Sequence, residues 1–165
     1  MNGNRLRFVK QDFQLKAQLL STIRNLATAV TLVWSTVSAA IAGTLTVDVH
    51  NIERGGEIHL AIYDDADVFE NDNGEKGGKA SGIIDGVVEE VAPGSVKYTF
   101  NLPEGVYAIG IFVDVNRNNK MDRNFIGIPK EQYGFSNDAR GNFGPPSFAE
   151  ASFTVSGDMA LEINL

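Results

Sequence analysis

Oxygen-bearing side chains recur at every second position in one short polar stretch of the chain. Asp114, Asn116 and Asn118 alternate there, and Asp122 follows four residues later. Ca²⁺ takes about six to eight hard oxygen ligands, and such alternation lets side chains of one loop converge on a single ion. The spacing predicts a Ca²⁺ site, the one cofactor that the sequence suggests, whose ligands are Asp114, Asn116, Asn118, the backbone carbonyl of Lys120, and Asp122.

Two positions of this stretch depart from a typical calcium loop. Asn119 stands where Gly usually makes the sharp turn, although Asn tolerates left-handed backbone better than most residues. Phe125 stands where a bidentate Glu normally completes the ligand shell, so any affinity would be modest. The alternative is a polar loop in which Asn and Asp side chains satisfy the loop's own backbone. Both interpretations remain open at this point.

A long segment rich in Gly and aromatic residues, 125–148, follows the polar stretch. Loops of this length are uncommon in compact domains and are usually functional or disordered, and five aromatic residues argue against disorder. The segment predicts a binding face for a glycan or a peptide, formed by Tyr133, Phe135, Asn137, Arg140 and Phe143. The alternative is that the rings only pack the segment against the rest of the fold.

Catalytic patterns are poorly represented. The two histidines, His50 and His59, fall on predicted strands, where we expect them to face outward as a cross-strand pair. A transition-metal site there would need a third ligand, for which Asp48 and Tyr63 are candidates. Phosphate-loop, dinucleotide and Gly-x-Ser-x-Gly motifs are missing from the sequence. We predict a protein that is not an enzyme, the alternative being a hydrolase or carbohydrate-active protein that uses Asp114 or Asp122.

The elements that position these residues have the period of two that is typical of β-strands. Alternation predicts about seven strands after residue 43, with a hairpin turn at 53–56 and final strands at 149–156 and 158–165. The run 106–113 is apolar on both faces, which predicts a central strand. These features predict a single all-β domain over 43–165, an antiparallel β-sandwich of immunoglobulin-like or prealbumin-like type. Tyr107 resembles a tyrosine corner, whose phenol bonds back to the connecting backbone.

Charge is distributed unevenly along the chain. Residues 1–42 carry +4 and residues 43–165 carry −11, which together give the net charge of −7. An acidic body repels phosphate, so we expect no nucleic-acid partner. The chain has no cysteine, which excludes disulfides, thiolate metal sites, a cysteine nucleophile and a lipidated cysteine.

The first 42 residues predict a signal peptide with an extended basic n-region. Residues 26–42 are free of charge and end in Ala40-Ile41-Ala42, a small-x-small cleavage pattern just before Gly43. The alternative is an uncleaved membrane anchor, since 17 residues are at the lower limit of spanning length. We therefore expect export to the periplasm or the extracellular space.

Three stretches together resemble the secreted bacterial family catalogued as domain of unknown function 2141. They are Val113–Asp122, Asn124–Asn137 and Phe143–Phe148, and the resemblance extends over 43–165. It implies an exported, sandwich-like domain and supplies no activity or catalytic residues. We therefore expect a binding or structural module of the cell envelope, with an envelope protein or a glycan as its ligand. Membrane contact is expected only through the N-terminal segment, if that segment is not cleaved.

Overall fold

The computed structural model describes residues 42–72, 74, 81–142 and 144–165. The predicted signal peptide, apart from Ala42, and the predicted binding residue Phe143 lie outside the described residues. Eight strands occur in this part of the chain: β1 Ala42–Ile52, β2 Gly56–Tyr63, β3 Asp85–Val91, β4 Gly94–Pro103, β5 Gly105–Asp114, β6 Tyr133–Phe135, β7 Phe153–Val155 and β8 Met159–Asn164. Two short helices, α1 Ala66–Asn71 and α2 Phe148–Ala151, and a 3₁₀ turn at Ser136–Asp138 complete the elements. The fold is therefore mostly β, as the periodicity predicts.

The first sheet has the strand order β4-β1-β8. Leu45, Val47 and Val49 of β1 are buried, while the residues between them are more exposed, which is the alternation read from the sequence. β1 runs antiparallel to β4 and parallel to β8, with Val47 opposite Leu161. The expectation of a purely antiparallel sheet is therefore wrong. The turn at 156–158 carries the chain from β7 in the other sheet to β8, which then enters beside β1 in the same direction.

The second sheet has the strand order β3-β2-β5-β6. β5 pairs with β2 along one edge, and its other edge is shared by β6 at Gly110–Phe112 and β7 at Gly105–Tyr107. The prediction that 106–113 is a central strand is confirmed. Burial on both faces explains why this run lacks polar residues.

The apolar core lies between the two sheets and draws on both of them. Leu45, Val47, Ile58, Ile109 and Ile163 are fully buried there. β1 and β2 belong to different sheets, so the predicted hairpin at 53–56 is wrong and this segment crosses from one sheet to the other. The sequence shows a turn but does not show which sheet the next strand joins.

The chain around β7 differs from its predicted extended form. Residues 148–151 are helical, because Ser147 accepts a hydrogen bond from the Glu150 amide and Glu150 in turn accepts from the Ser147 amide. This reciprocal capping box starts α2 where a strand at 149–156 was expected. Within the predicted range, the strand is limited to Phe153–Val155. None of the helices in the described part of the chain is long and apolar enough to cross a membrane.

Candidate functional site

A cavity of about 490 Å³ lies against the outer face of the second sheet, the face turned away from the core. Ala61 of β2 is directly opposite Gly86 of β3 and Gly110 of β5. These three residues form a row across three strands with almost no side-chain volume. The row is therefore a trough in the sheet surface, and it forms the floor of the cavity.

Larger side chains flank this trough. The neighbouring row contains His59 and Phe112, whose rings stack at a centroid distance of 4.5 Å, and continues to Tyr133. Phe135 closes the trough beside Gly110, and Tyr63 stands on the far side. Flat rings around a shallow floor suit a flat ligand.

The remaining wall comes from the loop that follows β5 and from a segment near α2. Met121, Ile126 and Ile128 line the cavity from the loop, and Gly141 and Pro145 line it from the segment. The Asn124 carboxamide oxygen accepts hydrogen bonds from the amides of Ile126 and Ile128, which fixes the turn at the loop's tip. Phe125 is at this tip and is 98% exposed.

The predicted binding face is only partly assembled. Tyr133 and Phe135 line the cavity, but Asn137 donates to the carbonyl of Ser152 at 2.8 Å and holds the backbone together. Arg140 lines a second cavity of about 130 Å³, which Tyr133 and Phe135 also line. Phe135 also packs edge-on against Phe69, so the packing interpretation applies to this ring as well.

Asp114, the first of the predicted calcium ligands, bonds to the backbone of its own loop. Asp114 is fully buried at the end of β5 and accepts the Arg117 amide at 2.7 Å and the Asn119 amide at 2.6 Å. Asn119 adopts left-handed backbone, with φ of 61°, as the turn requires. The carboxylate therefore shapes the start of the loop by satisfying its amides.

The other predicted ligands lie together. The side-chain amides of Asn116 and Asn118 donate to the Asp122 carboxylate at 2.7 and 3.0 Å, and the hydrogen bonds from Asn118 and Asn116 lower the pKa of Asp122. The oxygens of the two Asn side chains accept the Asn118 and Lys120 amides. This is the self-satisfied polar loop that the sequence leaves open. The Ca²⁺ site remains a prediction.

Glu131 is a further member of the loop that sequence reasoning missed. It is buried, and its carboxylate accepts the Val115 amide at 3.2 Å and the Asp122 amide at 3.0 Å. Burial raises the pKa of Glu131, as do the charges of Asp114 and Asp122, against the two hydrogen bonds. Glu131 thus joins both ends of the loop. Nothing in the position of Glu131 in the sequence indicates this role.

The histidines do not form the predicted cross-strand pair. His50, in the first sheet, bonds to Ser95, whereas His59, in the second sheet, is only 9% exposed. The His59 Nε2 atom lies 3.0 Å from Glu57 Oε1 and 4.0 Å from Asp114 Oδ2. The structure therefore surrounds His59 with two acids that sequence reasoning did not select.

The suggested third ligands are engaged elsewhere. Asp48 forms an ion pair with Lys97 at 3.0 Å, and the Tyr63 hydroxyl donates to Asp72. The proximity of Glu57 and Asp114 depends on the register of β2 against β5. That register is not readable from either strand alone.

The family described as uncharacterized protein conserved in bacteria (DUF2141) matches residues 47–164, and the chain belongs to it. This confirms the resemblance drawn from the three sequence stretches. No curated protein matches the chain, and neither does any solved structure.

Proposed function

We propose that this protein is an exported binding module of the cell envelope, whose ligand occupies the cavity on the outer face of the second sheet. Support for export comes from the charge-free stretch at 26–42 and its small-x-small end. The two sheets and their shared core support a β-sandwich of immunoglobulin-like or prealbumin-like type.

The trough formed by Gly86, Ala61 and Gly110 carries the proposal. On a sheet face that only packs against other elements, larger side chains would fill the surface. Here three small residues in register leave an open floor between aromatic walls. Apolar cavities of roughly 300–1,000 Å³ with a few convergent polar groups are typical small-molecule sites. The ligand is a small molecule that presents a flat apolar ring face.

Polar groups at the rim would orient this ligand. His59, Asn119 and Asn142 line the cavity together with the apolar residues. A glycan ring and an aromatic ring both present a flat apolar face, so both fit the trough. The expected glycan and the aromatic alternative are therefore distinguished by competition.

The alternative, a hydrolase that uses Asp114 or Asp122, finds less support. Asp114 is buried beneath its loop, and Asp122 is bonded to Asn116 and Asn118. Neither carboxylate lines the cavity. Because general acid–base chemistry needs its groups within reach of the substrate, the geometry favours binding.

The test uses N-phenyl-1-naphthylamine, an uncharged aromatic probe, titrated by fluorescence into the full chain. A side chain at Gly110 would project over the floor, and the nearest atom that a Cβ there would meet belongs to the Phe135 ring, 3.7 Å away. We expect Gly110→Leu to fill the trough, keep the fold and weaken probe binding at least about tenfold. Val106→Leu, at an exposed position of the same strand, is the matched control and should bind as the wild type does.

Competition then assigns the ring type. Displacement of the bound probe by N-acetylglucosamine would identify a glycan site, and displacement only by aromatic compounds would identify an aromatic one. Equal probe affinity in the Gly110→Leu protein and the wild type would contradict the proposal. A thermal melt of each variant establishes that the comparison is made between folded proteins.

A further inference from the structure

We infer that Glu57, His59 and Asp114 bind a divalent transition-metal ion at the edge of the cavity. The inference rests on the geometry of these three side chains and is independent of the ring-shaped ligand. Their ligand atoms, one from each residue, all lie within 4.8 Å of one another. This site differs from the predicted Ca²⁺ site in the 114–122 loop, with which it shares only Asp114.

The β2–β5 ladder places the three groups side by side. Glu57 is directly opposite Asp114, and His59 follows two residues later on the same face of β2. Side chains two apart on a strand point in the same direction, and directly paired residues have close Cβ atoms. The arrangement is therefore built into regular strands rather than into a loop.

The charges of this cluster favour a bound cation. Like charges directly opposite each other in a sheet are destabilising, and Asp114 is fully buried, so water does not screen it. The guanidinium of Arg117 bonds to Glu90 at 2.6 and 2.9 Å, and its charge also interacts with Glu57 and Asp114. His59 lies between the two acids, and it offers a ligand nitrogen to an ion that would balance them.

The distances are close to those of shared coordination. The 4.0 Å between His59 Nε2 and Asp114 Oδ2 is too long for a hydrogen bond. Two atoms that are each about 2.1 Å from one ion are separated by about 3.0 to 3.6 Å at coordination angles of about 90–120°. The 3.0 Å contact of His59 Nε2 with Glu57 Oε1, a hydrogen bond in this structure, matches the lower value, and the 4.0 Å separation from Asp114 Oδ2 would have to shorten on metal binding. Glu57, whose side chain is partly exposed, has room to adjust its position.

Surrounding contacts hold two of the ligands in place. Phe112 stacks on the His59 ring with an interplanar angle of 10°, which fixes the ring's orientation. The amides of Arg117 and Asn119 donate to the two oxygens of Asp114 and fix its carboxylate. Each carboxylate oxygen has two lone pairs, so both remain able to coordinate. Metal ligands are commonly oriented by such outer contacts.

The donor set selects the class of metal. Imidazole with two carboxylates suits Zn²⁺, Mn²⁺ or Fe²⁺, whereas Ca²⁺ and Mg²⁺ prefer oxygen alone. Three protein ligands leave at least one coordination position for water or for a ligand group. Since His59 also lines the cavity, a polar group of a bound ligand could reach this ion.

The test measures Zn²⁺ binding to the full chain, prepared without a histidine tag and stripped with chelator. Calorimetric titration gives the stoichiometry, and imidazole ¹⁵N NMR identifies the ligand, because the chain has only two histidines. We expect about one Zn²⁺ per chain, a shift of the His59 signals, and affinity at least about tenfold lower in His59→Phe and in Glu57→Gln. His59→Phe keeps a ring against Phe112, and Glu57→Gln keeps the side-chain shape.

Two matched controls should bind Zn²⁺ as the wild type does. His50→Phe removes the other histidine, and Asp122→Asn alters the polar loop without touching the cluster. Absence of binding at about 100 µM Zn²⁺ would overturn the inference. It would also be overturned if His59→Phe and Glu57→Gln both bound normally, or if Asp122→Asn abolished binding and so placed the ion in the 114–122 loop.

Discussion

Tyr107 stands at the start of β5 with its ring in the core and its hydroxyl group donating to the Pro103 carbonyl at 3.0 Å. The bond reaches back only four residues, across the tight connection between β4 and β5. This is the bond that the tyrosine-corner resemblance predicts, and it is confirmed. A local pattern of Pro, Gly and Tyr was enough to predict it, because the partner is fixed by the chain itself.

Removal of this hydroxyl tests the energetic role of the corner. We expect Tyr107→Phe to lower the free energy of unfolding by about 0.5–1.5 kcal/mol, since the ring stays packed while one hydrogen bond to the exposed Pro103 is lost. Urea unfolding followed by circular dichroism measures the change. Tyr133→Phe, at a more exposed ring, should change stability by less than about 0.5 kcal/mol. Equal effects of the two substitutions would contradict the assigned role of Tyr107.

The surroundings of His59, unlike the hydrogen bond of Tyr107, could not be predicted from the local sequence. Alternation along β2 correctly places it on the outer face, but its burial and its two acidic neighbours follow from strand pairing. Glu57 and Asp114 are 57 positions apart in the numbering. A single sequence therefore shows which side of a strand a residue occupies and does not show what stands opposite.

At the scale of elements, the loop after β5 is held by its own polar side chains. Asp114 and Glu131 satisfy amides at its beginning and end, and the two Asn side chains meet Asp122 between them. The alternation 114, 116, 118 predicted a convergent loop, and the structure brings Asn116, Asn118 and Asp122 together. Glu131 was missed because nothing in its local sequence marks a carboxylate that folds back on the loop.

Calcium stiffening of this loop is tested best at Asp122. Asp114→Ala would remove a buried carboxylate that satisfies two amides, so it would destabilise the loop with or without a metal. We expect about 1 mM Ca²⁺ to raise the melting temperature of the wild type and EDTA to reverse the rise. Asp122→Asn should abolish the response, and Asp64→Asn, at an exposed position outside the loop, should retain it. A wild-type melting temperature that does not respond to Ca²⁺ would show that the polar side chains hold the loop unaided.

The sequence contains the signal for helix α2, but the prediction assigned a strand to this segment. Ser147 and Glu150 are three residues apart, the spacing of a capping box, and the structure shows both hydrogen bonds. The strand predicted at 149–156 overlooked this signal, and the strand in the structure is limited to Phe153–Val155. Over such a short stretch, capping residues and strand periodicity can predict different structures. Here the hydrogen bonds of the capping box favour the helix.

At the scale of the whole molecule, the sequence shows the number and approximate position of most strands, and not the way they are shared between sheets. Segments 53–56 and 156–158 both carry the chain between sheets, although each resembles an ordinary turn. The parallel contact of β1 with β8 joins residues more than 100 positions apart. The cavity depends on this assembly, because its floor is a register of three strands.

The turn at 156–158, where the chain returns to the first sheet, makes the stability of the fold depend on pH. Asp158, in the turn between β7 and β8, accepts the Thr44 amide of β1 at 2.8 Å, and this hydrogen bond lowers the pKa of Asp158. The folded state therefore favours the charged carboxylate more than the unfolded state does. Its contribution to stability is present above the ordinary Asp pKa and is lost as the pH falls through the lower, folded-state value.

Substitution of Asp158 should remove this dependence. Asp158→Asn keeps an oxygen for the Thr44 amide but carries no charge, so we expect it to be less stable than the wild type at pH 7. The difference should shrink as the pH falls below about 4, where the wild-type carboxylate becomes protonated. Urea unfolding of both proteins between neutral and acidic pH measures the two curves. If the two curves stay parallel across the acid range, the charge of the Asp158 carboxylate does not stabilise its contact with β1.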